Sequence, residues 1–133
     1  MASIRKIVHT TARTEDVWAA IADIGALHTR LVPGFVIDTK LEPGARIVTF
    51  GNGMVVREPI ISVDPTARRL VWTASGGRTT HYNSSVEVTA GTEGGCVVTW
   101  TSDFLPDSLE PEINGAMEMG AGIMAKTLNK LSA

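Results

Sequence analysis

The sequence predicts an α+β fold, a curved seven-stranded antiparallel sheet wrapped around a long C-terminal helix. Three observations carry that reading. From Phe35 to Phe104, short β-branched runs alternate with turns bearing glycine or proline, the pattern of an antiparallel meander. After Pro106, residues Ile113, Met117, Ala121, Met124, Leu128 and Leu131 recur at steps of three or four, one apolar stripe of a helix. A helical stretch separates an initial strand from the meander. Such a sheet twists and curls, and one helix along its concave face is too narrow to fill it. The order of elements therefore predicts a space between helix and sheet, with loops at one end as its mouth.

Each element has its own local reason. Ile4 to Thr10 alternates apolar and polar residues and reads as a strand. Thr14 is the expected N-cap of the first helix, with Glu15 and Asp16 complementing the helix dipole. That helix runs through Val17, Trp18, Ile21 and Ile24 and is expected to end at Gly25. A second short helix through Leu27 and His28 reaches Leu31 and stops at Pro33-Gly34. The meander then reads as strands over Phe35–Lys40, Arg46–Phe50, Met54–Val63, Arg69–Ala74, Tyr82–Thr89 and Cys96–Phe104. Gly51-Asn52-Gly53 is its strongest hairpin signal. Ser108 to Ala133 reads as one helix despite Gly115, Gly120 and Gly122. Each interior glycine costs about 1 kcal/mol relative to alanine, so the set points to close packing or to empty space, and a hollow interior is the reading taken for it.

Composition narrows the function classes. The 133 residues are 44% hydrophobic and 20% charged, which fits one domain spanning 1–133 with a sizeable core. Twelve basic against fourteen acidic residues, with no basic run, argue against a nucleic-acid partner. Cys96 is the only cysteine, so an internal disulfide is impossible and a cytoplasmic setting fits. Met1 to Lys6 has no apolar signal core, and no apolar run approaches the roughly 20 residues that cross a bilayer, so membrane insertion is not expected. No His/Cys/Asp/Glu set has metal-ligand spacing, so no metal or other cofactor is expected. Gly44-Ala45-Arg46 and Gly51-Asn52-Gly53 are turns, not phosphate cradles, because no Lys-Ser/Thr pair follows them.

The chain resembles the START-like (SRPBCC) superfamily of helix-grip proteins, which includes birch-pollen-allergen-like, polyketide cyclase/dehydrase-like and plant hormone receptor members. The resemblance is carried by Thr14-Glu15-Asp16-Val17-Trp18, Leu31-Val32-Pro33-Gly34, and Val56-Arg57-Glu58 through Ile61-Ser62-Val63-Asp64. Leu70-Val71-Trp72, His81-Tyr82-Asn83-Ser84 and Val98-Thr99-Trp100 complete it, and together they cover nearly the whole chain. It implies a cavity for a hydrophobic ligand and no particular reaction.

Several side chains are candidates for chemistry. Val56, Glu58, Ile60 and Ser62 share one strand face, and the resemblance puts Glu58 on the cavity side. A carboxylate against apolar walls is raised in pKa and can serve as a general base or ligand anchor; the alternative is a glutamate that is exposed or paired with Arg57 or Arg46. Tyr82 and Ser84 share a face with Val86 and Val88, an apolar surface with few polar points. Trp72 and Trp100 read as core or ligand platform, and Trp18 as structural. The resemblance places His28 at the cavity mouth, facing Glu58 in one reading and structural in the other, whereas His9 and His81 read as surface. The expected walls are Val56, Ile60, Trp72, Val86, Trp100, Ile113, Met117 and Met124, with the loops at Gly51-Asn52-Gly53 and Ser75-Gly76-Gly77-Arg78 as the mouth.

Three functions follow as expectations. The first is binding of a small hydrophobic molecule, such as a lipid, polyketide or aromatic metabolite, by a monomer or weak homodimer. The second is a cyclase or dehydratase with Glu58 as general base and Tyr82 or His28 steadying an enolate oxygen. The third is a ligand-gated interaction module presenting Leu31, Val32 and Phe35.

Overall fold

The computed structural model describes residues 1–132. Strand β1 (Ala2–Thr10) leads into helix α1 (Thr14–Ala22), a 3-10 turn (Ile24–Ala26) and a π-helical turn (Leu27–Leu31). Six strands follow: β2 (Val36–Glu42), β3 (Ala45–Phe50), β4 (Val55–Asp64), β5 (Arg69–Thr73), β6 (His81–Ala90) and β7 (Cys96–Leu105). Helix α2 (Glu110–Asn129) sits between two single 3-10 turns, Asp107–Leu109 and Lys130–Ser132. Its expected last residue, Ala133, lies outside the described residues.

The sheet order is β1-β7-β6-β5-β4-β3-β2 with every pair antiparallel. Alternation decides which face is covered. In β7, Cys96, Val98, Trp100, Ser102 and Phe104 all point inward and are buried, and Ser84, Val86 and Val88 do the same in β6. Helix α2 buries Met117, Gly120, Met124 and Leu128 on this concave face. It is held toward one side of the sheet, where Lys6 of β1 binds Asn114 Oδ1 at 2.7 Å and Glu118. Leu131, counted in the expected stripe, is 45% exposed because the helix ends two residues earlier.

Local expectations at α1 need correction. Arg13, not Thr14, is the N-cap residue, and no side chain caps the helix. Thr14 Oγ1 donates instead to Glu15 Oε2 at 2.9 Å. The helix stops at Ala22 rather than Gly25, because the chain tightens into the 3-10 turn that contains Gly25. A Cβ at Gly25 would stand 2.9 Å from Leu41 Cδ1, so this glycine admits a close approach by β2. The hairpin at Gly51-Asn52-Gly53 forms as expected: Gly53 has φ +90° and Asn52 Oδ1 accepts from the Met54 N–H at 3.0 Å.

Candidate functional site

Because α2 lies over β1, the concave face under β2 to β6 is left open. A cavity of about 760 Å³ occupies it. Val56, Trp72, Val86, Trp100, Ile113, Met117 and Met124 all line it, as do Glu58 and Tyr82. Trp18 packs against the core from α1, while His9 and His81 are exposed.

The floor is a row of residues set by strand register. Arg46 of β3 lies directly opposite Glu58 of β4. The bridge between Arg57 and Ser75 puts Glu58 beside Ala74, and the Ala74 N–H donates to the Tyr82 carbonyl. Tyr82 in turn pairs with Phe104. Two strand spacings of about 4.8 Å therefore separate Glu58 from Tyr82, with the small residue Ala74 between them in the row. That small residue keeps the floor hollow at its centre.

Glu58 is 5% exposed and its Oε1 accepts from Arg46 Nε at 2.8 Å. Arg46 is 2% exposed, donates through Nη1 to the Ile24 carbonyl at 3.3 Å, and lies 5.2 Å from the centroid of the Trp72 ring. Burial pushes the Glu58 carboxyl above the usual glutamate value, and the Arg46 charge and hydrogen bond oppose it, with a smaller pull from Trp72. Removing one partner of such a buried pair costs about 3–5 kcal/mol, so each holds the other in place.

Tyr82 heads a hydrogen-bonded chain. Its hydroxyl lies 2.8 Å from Ser102 Oγ, which lies 2.9 Å from Ser84 Oγ. Ser84 Oγ accepts from Trp100 Nε1 at 2.9 Å and donates to the Thr101 carbonyl at 3.0 Å. Burial raises the Tyr82 pKa above 10.0; the Ser102 hydrogen bond opposes this and the Glu58 charge adds to it. The phenol therefore stays protonated at neutral pH.

Some expected site residues fall elsewhere. His28 does not face Glu58: its Nδ1 is 3.0 Å from Thr39 Oγ1, and it is absent from the cavity wall. Ile60 packs against the core without reaching the cavity; it pairs with Trp72 of β5, just before a register shift that separates it from Ser62. Ser84 lies beneath the wall, 1% exposed, and acts through its hydrogen bonds. Leu31 and Val32 are buried and Phe35 half-buried, and all three face the cavity. They form wall rather than a surface patch. From the sequence alone Arg46 is only one possible partner for Glu58. Ser102 and the Phe35–Phe50 edge pair, centroids 5.5 Å apart, carry no signal in the sequence. For Arg46 one signal is available, since Arg46 and Glu58 are equidistant from Asn52, the centre of the hairpin turn.

The three glycines of α2 divide. A Cβ at Gly115 meets nothing within 4 Å, and Gly115 lines the cavity. At Gly120 it would stand 3.1 Å from both Phe35 and Trp100 ring atoms, which is close packing. Gly122 is exposed with open space around it. None of the three therefore stands over an enclosed hollow: Gly115 is exposed like Gly122, and the open space beside it is the rim of the cavity. At the mouth, Asn52, Gly77 and Arg78 line the opening, and Arg78 pairs with Glu112 of α2.

Curved sheet, gripping helix and enclosed apolar space define a helix-grip protein. The chain belongs to the family described as polyketide cyclase/dehydrase and lipid transport, whose sequence profile matches residues 1–133. Among solved structures, the protein XoxI from Bacillus cereus superposes with a TM-score of 0.88 at 20% identity, covering 100% of this chain and 99% of that one. A START superfamily protein from Mycobacterium smegmatis gives 0.76 at 12% identity, covering 97% and 98%. Norcoclaurine synthase from Thalictrum flavum, in complex with dopamine and hydroxybenzaldehyde, gives 0.76 at 21% identity, covering 98% and 86%. At these identities the likeness is one of fold. A comparison with curated protein sequences finds no match. Among the described residues no helix is long and apolar enough to cross a membrane, and no group of three His, Cys, Asp or Glu is placed to hold a metal ion.

Proposed function

We propose that the chain binds a small apolar molecule in the space between α2 and the sheet. The observation that carries this reading is the cavity of about 760 Å³ with mainly apolar walls and few polar points, the usual composition of a ligand site. Family membership supports it, and the aromatic molecules held by norcoclaurine synthase illustrate what a site in this fold accommodates. Burying roughly 300 Å² of apolar ligand surface at about 25 cal/mol per Å² contributes about 7 kcal/mol before association costs, so micromolar affinity is expected.

The same site speaks less strongly for a cyclase or dehydratase. A general base needs a free carboxylate, and Glu58 is engaged by Arg46 at 2.8 Å. Native mass spectrometry of the purified protein, followed by denaturing extraction, tests the binding reading: a co-purifying apolar molecule is expected. An empty protein that no apolar molecule of a broad panel stabilises against heat would refute it. Glu58→Gln, which leaves Arg46 without its charged partner and is expected to lower the melting point, separates carrier from catalyst at a temperature where the variant is folded: a carrier still binds, and a catalyst binds but loses turnover.

A further inference from the structure

The charged groups on the cavity wall are Arg46, Glu58, Arg78 and Glu112. They form two ion pairs, Arg46 with Glu58 on the floor and Arg78 with Glu112 at the mouth. Each arginine is thus matched by a carboxylate that also lines the cavity. An anionic ligand entering this space would meet both members of each pair and gain no uncompensated cation. A fatty acid carboxylate or a phosphate would lose its hydration without replacement.

The Tyr82 chain adds a direction. Trp100 Nε1 is a donor only and the Thr101 carbonyl an acceptor only, and both end on Ser84 Oγ. The single Ser84 hydrogen goes to Thr101, so Ser84 Oγ receives from Trp100 and from Ser102. The Ser102 hydrogen is then spent on Ser84, and the Tyr82 hydrogen is spent on Ser102. Every hydrogen is used, which leaves the oxygen of Tyr82, a residue of the cavity wall, with a lone pair free to accept. Reversing the chain would give up the Ser84–Thr101 bond at 3.0 Å, a buried hydrogen bond whose loss is costly.

We propose that the cavity selects a neutral ligand carrying a hydrogen-bond donor, an alcohol or phenol, whose hydroxyl donates to the Tyr82 oxygen. This rests on the reading that the cavity binds an apolar molecule, and it names the ligand's polar chemistry. An ether of the same shape leaves the Tyr82 lone pair unmet, and a carboxylate meets it with a second set of lone pairs.

Calorimetric titration with naphthalene, 2-naphthol, 2-methoxynaphthalene and 2-naphthoate near neutral pH tests both layers. Naphthalene reports on the cavity itself. The naphthol is expected to bind at least about tenfold tighter than the ether or the naphthoate. In Tyr82→Phe the naphthol should weaken to the level of the ether, with the ether unchanged. In Ser102→Ala the phenol hydrogen loses its partner and turns to the cavity, so the ether should gain on the naphthol. The wild-type series alone is decisive if either variant fails to show a wild-type circular dichroism spectrum. Ether or naphthoate binding as tightly as naphthol would overturn the proposal while leaving the binding reading standing, as would a naphthol preference that survives in a folded Tyr82→Phe. Failure of all four molecules to bind would overturn both.

Discussion

Tyr82 is the only tyrosine in the chain, so the ultraviolet band of tyrosinate reports on this one group. Burial is the main cause of its raised pKa, which lies above the ordinary 10.0. Between 10 and the native value the unfolded chain binds fewer protons than the folded one, so stability falls as pH rises through that window. Below pH 10 the contribution is intact. Spectrophotometric titration of the native protein should give a midpoint above that of the denatured protein. Tyr82→Phe should remove the corresponding fall in thermal midpoint on the alkaline side. Coincident native and denatured midpoints would mean that the phenol is solvated. Tyr82 was legible in the sequence as an inward-facing strand residue, and so was Glu58. What alternation does not reveal is the neighbour across the sheet: Arg46 and Ser102 matter because of register, which depends on where each hairpin centres. His28 misled because a π-helical turn, Leu27–Leu31, rotates its side chain to Thr39 rather than toward the floor.

At the scale of the element, α2 shows why glycine counting is a coarse guide to a hollow. The stripe of Met117, Met124 and Leu128 was legible from spacing alone. The three glycines are alike in sequence and differ only in what stands opposite them. Gly115→Ala and Gly122→Ala should each stabilise the protein by up to about 1 kcal/mol, since neither Cβ meets an obstacle and alanine favours the helix. Gly120→Ala should destabilise it. Its Cβ would press on the rings of Phe35 and Trp100, and Trp100 is held through Nε1 to Ser84. Overpacking of this kind costs about 1–3 kcal/mol, more than the helix gains. Denaturant midpoints of the three variants give the ordering, and equal stabilisation by all three would contradict the packing around Trp100. The bounds of α1 were harder to read: its end is set by Gly25 approaching Leu41 of β2, a contact between residues far apart in the chain.

For the whole molecule, the hollow is a consequence of where α2 is held. Lys6 draws the helix over β1 through Asn114 and Glu118, and α1 with the turn that follows covers the sheet beyond it only in part, so that Ile21, Leu27 and Leu31 line the cavity without filling it. An unfilled interior forfeits dispersion contacts along its walls, so the molecule gives up stability to keep a place for something else. Gly115→Phe makes that exchange measurable. The new side chain springs from a position with open space around its Cβ, on the helix turn that lines the cavity. Gly115 is exposed, so the ring adds apolar surface at the rim of the cavity, and it replaces a poor helix former. The unliganded variant should therefore melt higher than the parent, by roughly 2–4 °C for a gain near 1 kcal/mol in a chain of this size. Ligand should act in the opposite sense. A hundredfold excess over Kd stabilises the parent by about 2.7 kcal/mol, a shift of roughly 5–11 °C, and the variant with the ring at the rim should lose most of that shift. Thermal melts with and without 2-naphthol, run on both proteins, compare the two effects directly. A variant that melts higher yet keeps the full ligand shift would place the bound molecule away from Gly115. One that melts lower would mean that the space beside Gly115 closes in solution and leaves no room for the ring.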